Sequence, residues 1–167
     1  MGPQKDDLRR GRGATSAGRP ASSPIVPQLR NARPGDSVAV AGLLGELGYP
    51  SRPEQAAERI KKIADDPATL LIVAEVEGEL AGFGALHVQN LVERDWPGCE
   101  VAALVVGERF RRQGIGELLM EALEIEARER GGKHLVLNTA HRRADAHSFY
   151  EALGYEHTGR RYTKELH

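Results

Sequence analysis

The hydrophobic pattern changes period partway along the chain. Val101 to Val106 is a near-continuous apolar run, as in a strand covered on both faces. From Ile115 the apolar residues Ile115, Leu118, Leu119 and Ala122 recur at helical spacing. A short polar loop holding Gly114 and Gly116 joins the two, so this stretch predicts strand, glycine turn and helix in that order. The rest of the chain is read around it. Ile25 to Arg33 predicts a first strand, ended by a turn at Pro34-Gly35-Asp36. Asp36-Ser37 stands where a cap belongs, before a helix with an apolar face of Val38, Val40, Ala41, Leu43, Leu44 and Leu47. Gly48-Tyr49-Pro50 ends that helix, and Ser51 is placed to cap another from Pro53 to about Ala64. Thr69 to Val76 and Leu80 to Gln89 predict two strands joined by a hairpin at Glu77-Gly78-Glu79. In the second of these, Gly82 and Gly84 mark a bulge or a close approach. Downstream, His134 to Asn138 reads as a strand, Ala144 to Leu153 as a helix stopped by Gly154, and Tyr155 to Lys164 as a closing strand. The expected class is α/β, a mixed central sheet of roughly six to seven strands flanked by about four helices lying on both faces.

Composition narrows the setting. A length of 167 residues suits one domain with a sizeable core. The net charge of -1 gives no general attraction to nucleic acid or to an anionic membrane. No apolar run approaches the ~20 residues of a membrane-spanning helix, and the N-terminus lacks the apolar core of a secretory signal. The single cysteine, Cys99, excludes an internal disulfide and fits a reducing compartment, so a soluble cytoplasmic protein is expected. Residues 1–24 are rich in Gly, Ala, Ser and Pro, carry Arg9, Arg10, Arg12 and Arg19, and hold almost no large apolar residue. They read as a flexible basic tail, leaving residues 25–167 as the domain. His87, His134, His141, His147, His157 and Cys99 show no metal-ligand spacing, so no metal is expected.

The glycine turn carries the chemistry. A helix N-terminus presents unpaired N–H groups and a partial positive charge, Gly114 and Gly116 let a ligand approach the backbone, and Arg111 and Arg112 add cationic charge. This is an anion site suited to a phosphate or pyrophosphate. Glu117 and Leu118 stand where a Walker motif needs Lys and Ser or Thr, and the third glycine of a dinucleotide fingerprint is missing. Arg111-x-x-Gly114-x-Gly116 after Leu104-Val105-Val106 instead resembles the R/Q-x-x-G-x-G/A signature of the GCN5-related N-acetyltransferases. Ala144, Phe149-Tyr150, Gly154 and Tyr155 resemble that family's second signature, A-x-x-x-x-F-Y-x-x-x-G-F/Y, in the right order and at about the right distance. The resemblance runs from about Pro27 to the end of the chain.

The resemblance implies the acyl-CoA N-acyltransferase fold, with acetyl-CoA as cosubstrate and an amine as acceptor. It implies that the strand edge at Leu104 and Val106 pairs with the pantetheine arm. The N–H groups of Arg112, Gln113, Gly114, Ile115, Gly116 and Glu117 would receive the pyrophosphate, beside Arg111, and Asn138 would meet the pantetheine where the strands splay. Tyr150 corresponds to a family tyrosine beside the coenzyme sulfur that protonates the leaving thiolate, a role a phenol near pKa ~10 suits. Glu100 is a candidate for the base, since many members place a carboxylate there facing the acceptor amine directly or through water. His141 and His147 are rival bases, with imidazoles of suitable pKa. Cys99, lacking a matched His/Asn pattern, reads as a small buried residue, and Phe149 as core. The pairs Arg142-Arg143 and Arg160-Arg161 read as solvated surface or as a site for acidic groups such as the adenosine 3′-phosphate. Arg142 stands where protein N-terminal acetyltransferases often carry Asn, which weighs against a peptide substrate. The expected activity is acetyl transfer to a primary amine of a small molecule in a ternary complex. A protein acetyltransferase and a non-catalytic acyl-CoA-binding module remain the alternatives, and a homodimer is expected from family habit alone. Trp96 lies in the Asn90 to Gly98 loop, which with Tyr49 to Arg52 would shape the acceptor pocket.

Overall fold

The computed structural model describes residues 26–139 and 144–166, so the tail over 1–24 and His141, Arg142 and Arg143 lie outside the described residues. Five strands form one sheet in sequence order: β1 (Gln28–Asn31), β2 (Thr69–Val76), β3 (Glu79–Gln89), β4 (Gly98–Val106) and β5 (Leu135–Leu137). The first four pair antiparallel and β5 joins β4 in parallel. The helices are α1 (Ser37–Leu47), α2 (Pro53–Ala64), α3 (Ile115–Glu129) and α4 (Ala144–Ala152). The closing strand expected over 155–164 is absent: residues 155–166 have no regular secondary structure and are exposed apart from a half-buried Tyr155. From His157 on this segment is mostly polar and charged, so it has no apolar face to bury against the sheet. The sheet among the described residues therefore has five strands rather than six or seven.

Strand alternation divides the core into two layers. Ile72, Ala74, Val76, Leu86, Cys99 and Val101 face one side, where they bury Ile115, Leu119, Met120 and Leu123 of α3. Leu71, Val73, Phe83, Ala85 and Val105 face the other, against Val40, Ala41 and Leu43 of α1 and Ala56 and Ile60 of α2. The two β3 glycines are close approaches: a Cβ on Gly82 would lie 2.5 Å from the Val105 carbonyl oxygen, and one on Gly84 2.9 Å from Leu123 Cδ1. Glu77 (φ 51°) and Gly78 (φ 83°) form the tight hairpin between β2 and β3.

Helix starts depart from expectation in detail. Asp36 makes no side-chain cap; its carboxylate accepts the Arg33 N–H at 2.7 Å and a forked pair of bonds from Arg30 at 2.8 and 2.9 Å. Ser51 does not cap α2 either. Its hydroxyl donates to the Tyr49 carbonyl at 3.0 Å, while Gln55 Oε1 accepts the Arg52 N–H at 3.0 Å. Val38, expected on the apolar face of α1, is exposed. No helix among the described residues is long and apolar enough to cross a membrane.

Candidate active site

The site begins with one extra residue in β4. Ala85 pairs with Ala103 but Leu86 with Val101, so Ala102 is supernumerary and bulges. Pairing with β5 covers Cys99 to Val101 and goes no further. Beyond the bulge β4 runs on to Val106 beside no described fifth-strand partner, and the two parallel strands separate. Gly107 N–H donates to the Ala81 carbonyl at 2.8 Å. By the alternation of an antiparallel ladder, the N–H and C=O of Val106 and Leu104 then point away from β3, into the gap. An amide-bearing arm can pair there as an added strand.

At the end of β4 a short 3-10 turn, Glu108–Phe110, leads into the glycine turn. Arg112 (φ 62°) and Gly114 (φ 78°) both take left-handed backbone, which turns the chain sharply into α3. Gly114 is the N-cap of α3, whose first N–H groups have no acceptor within the helix. Gly116 packs close: a Cβ there would lie 3.2 Å from Phe149 Cζ of α4 and 3.7 Å from Val106 Cγ2. Ile115 is buried at 1% exposure in the core, so only its backbone is available to a ligand. Glu117 is exposed in the first turn of α3. Gln113 Nε2 donates to the Arg109 carbonyl at 3.1 Å. Arg111 is folded back, with Nε donating to the Val106 carbonyl at 3.2 Å and Nη2 to Glu46 of α1 at 3.3 Å. Glu46 also accepts the Glu108 N–H at 2.9 Å, so α1 clamps the turn from the other layer. A pyrophosphate fits this cradle through backbone N–H groups and the helix dipole.

Glu100, Leu104, Asn138, His147 and Tyr150 line one open cleft of about 1800 Å³, together with Tyr49, Arg94 and Trp96. Asn138 Nδ2 donates to Glu100 Oε1 at 2.7 Å, fixing the carboxylate across the β4–β5 seam. Tyr150 is half-buried on α4, edge-on to Phe149 at 5.2 Å and to Tyr155 at 6.0 Å. Tyr155 donates to Glu124 of α3 at 3.0 Å, and burial followed by that bond pushes its pKa up. It anchors the end of α4 on α3. Cys99 is buried, with its thiol pushed up by desolvation, in keeping with an inert core residue. Trp96 stacks under the Lys133 ammonium at 4.3 Å. His141 and Arg142 lie outside the described residues.

Sequence reasoning missed three contributors. Glu46 clamps the turn from 65 residues away, and no local pattern announces it. The Asn138–Glu100 bond depends on the parallel register of β4 with β5. His87 is the register partner of Glu100, on the same face of the sheet. Strand alternation gives the side of each residue, but only the bulge-corrected register sets them opposite one another.

Known proteins share this architecture. The sequence matches the acetyltransferase (GNAT) family over residues 39–155. It is 35% identical over 147 residues to aminoalkylphosphonate N-acetyltransferase of Salmonella typhimurium, covering 84% of this chain and 92% of that one. It is 25% identical over 139 residues to aminoglycoside N(6')-acetyltransferase type 1 of Stenotrophomonas maltophilia, covering 81% and 90%. A solved aminoglycoside N-acetyltransferase in complex with CoA superposes with a TM-score of 0.77 at 17% identity, over 87% of this chain and 98% of the other, a likeness of fold. With its split strands, its glycine turn at a helix N-terminus and a family match spanning most of the domain, this chain belongs to the GNAT family and is an N-acetyltransferase that uses acetyl-CoA.

Proposed function

We propose that the protein acetylates the primary amine of a small molecule by direct transfer in a ternary complex, with Glu100 and Tyr150 on either side of the reacting atoms. The observation that carries this reading is that Glu100, Leu104, Asn138 and Tyr150 line one cleft. The pantetheine arm lies along the edge of Leu104 and Val106 that faces away from β3, taking the place of Arg111 Nε at the Val106 carbonyl. The pyrophosphate rests on the N–H groups of Arg112 to Glu117, with the Arg111 guanidinium adding positive charge. Asn138 holds Glu100 through Nδ2, which leaves its carbonyl oxygen as an acceptor for an amide of the arm. The acceptor occupies the cleft, whose lining includes Tyr49 and Trp96. Glu100 holds its ammonium by charge and draws off a proton. The amine nitrogen then bonds to the acetyl carbon, the carbon–sulfur bond breaks, the Tyr150 hydroxyl protonates the departing thiolate, and the second proton shed by the nitrogen returns to the Tyr150 phenolate.

The first acceptors to test are aminoalkylphosphonates. The relative at 35% identity is named for them, and Arg94 supplies a cation on the cleft wall for the acidic group. Purified protein is given acetyl-CoA and a panel of aminoalkylphosphonates, aminoglycosides, amino acids, polyamines and short peptides, and free thiol is followed. Turnover confined to one small-molecule class supports the reading. Turnover with peptides alone overturns it, and so does silence across the panel with acetyl-CoA still bound tightly.

A further inference from the structure

His87 stands beside Glu100 at the end of a short polar chain. Thr69 on β2, His87 on β3 and Glu100 on β4 occupy successive register positions on one face of the sheet. The Thr69 hydroxyl donates to Asp66 Oδ2 at 2.7 Å, and Asp66 also accepts the Ala68 N–H at 2.9 Å. The same hydroxyl lies 3.1 Å from His87 Nδ1. A hydroxyl has one proton, and here it is committed to the carboxylate. The contact with the imidazole therefore needs Nδ1 to be the donor. In neutral His87 this leaves the lone pair on Nε2. Asp66, held below the usual carboxylate range by the Thr69 bond, remains an anion that keeps the chain so ordered. The charged and titratable groups around His87 are Asp66 before β2, Glu100 on β4, and Tyr49 and Arg94 on the wall of the cleft that His87 also lines.

We propose that His87, held by the Asp66–Thr69 pair, is a proton relay for the transfer step, in which its Nε2 takes the proton that Glu100 draws from the acceptor ammonium. The proposal rests on the reading of Glu100 given above. The carboxylate is regenerated, the imidazolium is stabilised through Thr69 by Asp66, and the proton leaves to solvent through the open cleft. Imidazole suits this task because it exchanges protons near neutral pH. His87 acts through Glu100, so it is a positioning and relay residue rather than one that touches the acceptor.

The test is the pH dependence of kcat for the wild type and for His87→Gln, Thr69→Val and Thr69→Ser, with acetyl-CoA affinity measured alongside. Wild-type turnover on any amine is the control: its absence counts against the acetyltransferase reading of the site, not against the relay. Given turnover, His87→Gln is expected to lower kcat at least tenfold and to change the shape of the pH profile. Thr69→Val is expected to lower kcat several-fold and Thr69→Ser to restore it, with coenzyme affinity within twofold throughout. A wild-type rate and an unaltered pH profile in folded His87→Gln would overturn the relay. An equal loss in Thr69→Val and Thr69→Ser would overturn the role given to the hydroxyl.

Discussion

At the scale of single residues, Tyr150 and Gly116 are separated by what they touch. If the Tyr150 hydroxyl supplies the proton, Tyr150→Phe removes a positioned acid while its ring contacts with Phe149 and Tyr155 remain. The expected loss in kcat is ~100-fold, with the acetyl-CoA dissociation constant held within twofold, read from initial rates and equilibrium titration. Gly116→Ala acts through packing. The new methyl meets the Phe149 ring at 3.2 Å, so the ring must give by a few tenths of an ångström where α4 packs on the start of α3. A loss of about 1–3 kcal/mol in stability is expected together with weaker coenzyme binding, measured by denaturant titration and calorimetry. The Cys99 thiol, buried and raised in pKa, should stay silent to an aromatic disulfide reagent in the folded protein. Free coenzyme is then counted without background; rapid labelling of the native protein would contradict that placement.

At the scale of elements, Arg30 binds together β1, the turn before α1 and β2. It forks onto Asp36 and reaches Glu75 at 3.0 Å. The Arg30 guanidinium holds the Asp36 carboxyl below its usual range. A lowered carboxyl pKa contributes stability that is fully present above the unfolded value and is lost as pH falls through the folded one. Asp36→Asn should therefore cost about 2 kcal/mol at pH 7. The gap from wild type should narrow below about pH 4, as chemical denaturation across pH would show. These same elements display what a sequence discloses. Helices α1 and α2, the β2–β3 hairpin and the α3 start were legible because periodicity, Pro53, Gly48, Gly78 and Gly114 are local signals. The partners of the caps were not, since Asp36 turns to an arginine on another element and Ser51 to its own loop. The segment after Gly154 was misread as a strand because Tyr155, Tyr162 and Thr163 imitate strand composition without an apolar face. In the candidate site, the coenzyme turn and Tyr150 lay in motifs. The contact between Asn138 and Glu100 and the neighbourhood of His87 arise from register, which no short pattern encodes.

At the scale of the whole molecule, the sheet separates two tasks. Helix α3, with the glycine turn proposed to hold the coenzyme, packs on one core layer, whereas α1 and α2 pack on the other layer beside the open cleft. Glu46 is the tie between them, reaching from α1 to the turn. The separation depends on Ala102. Cys99 and Val101 face α3, Ala103 and Val105 face α1, and removing residue 102 would leave that alternation perfect. A chain lacking Ala102 should thus fold into a flatter sheet in which β4 keeps pairing with β5 past Leu137. We expect it to be as stable as the parent or more so, by thermal unfolding, and to have lost acetyl-CoA binding. Stability and activity would then pull in opposite directions at a single alanine that touches no reacting atom: selection for catalysis maintains an irregularity that selection for a sturdier fold would erase.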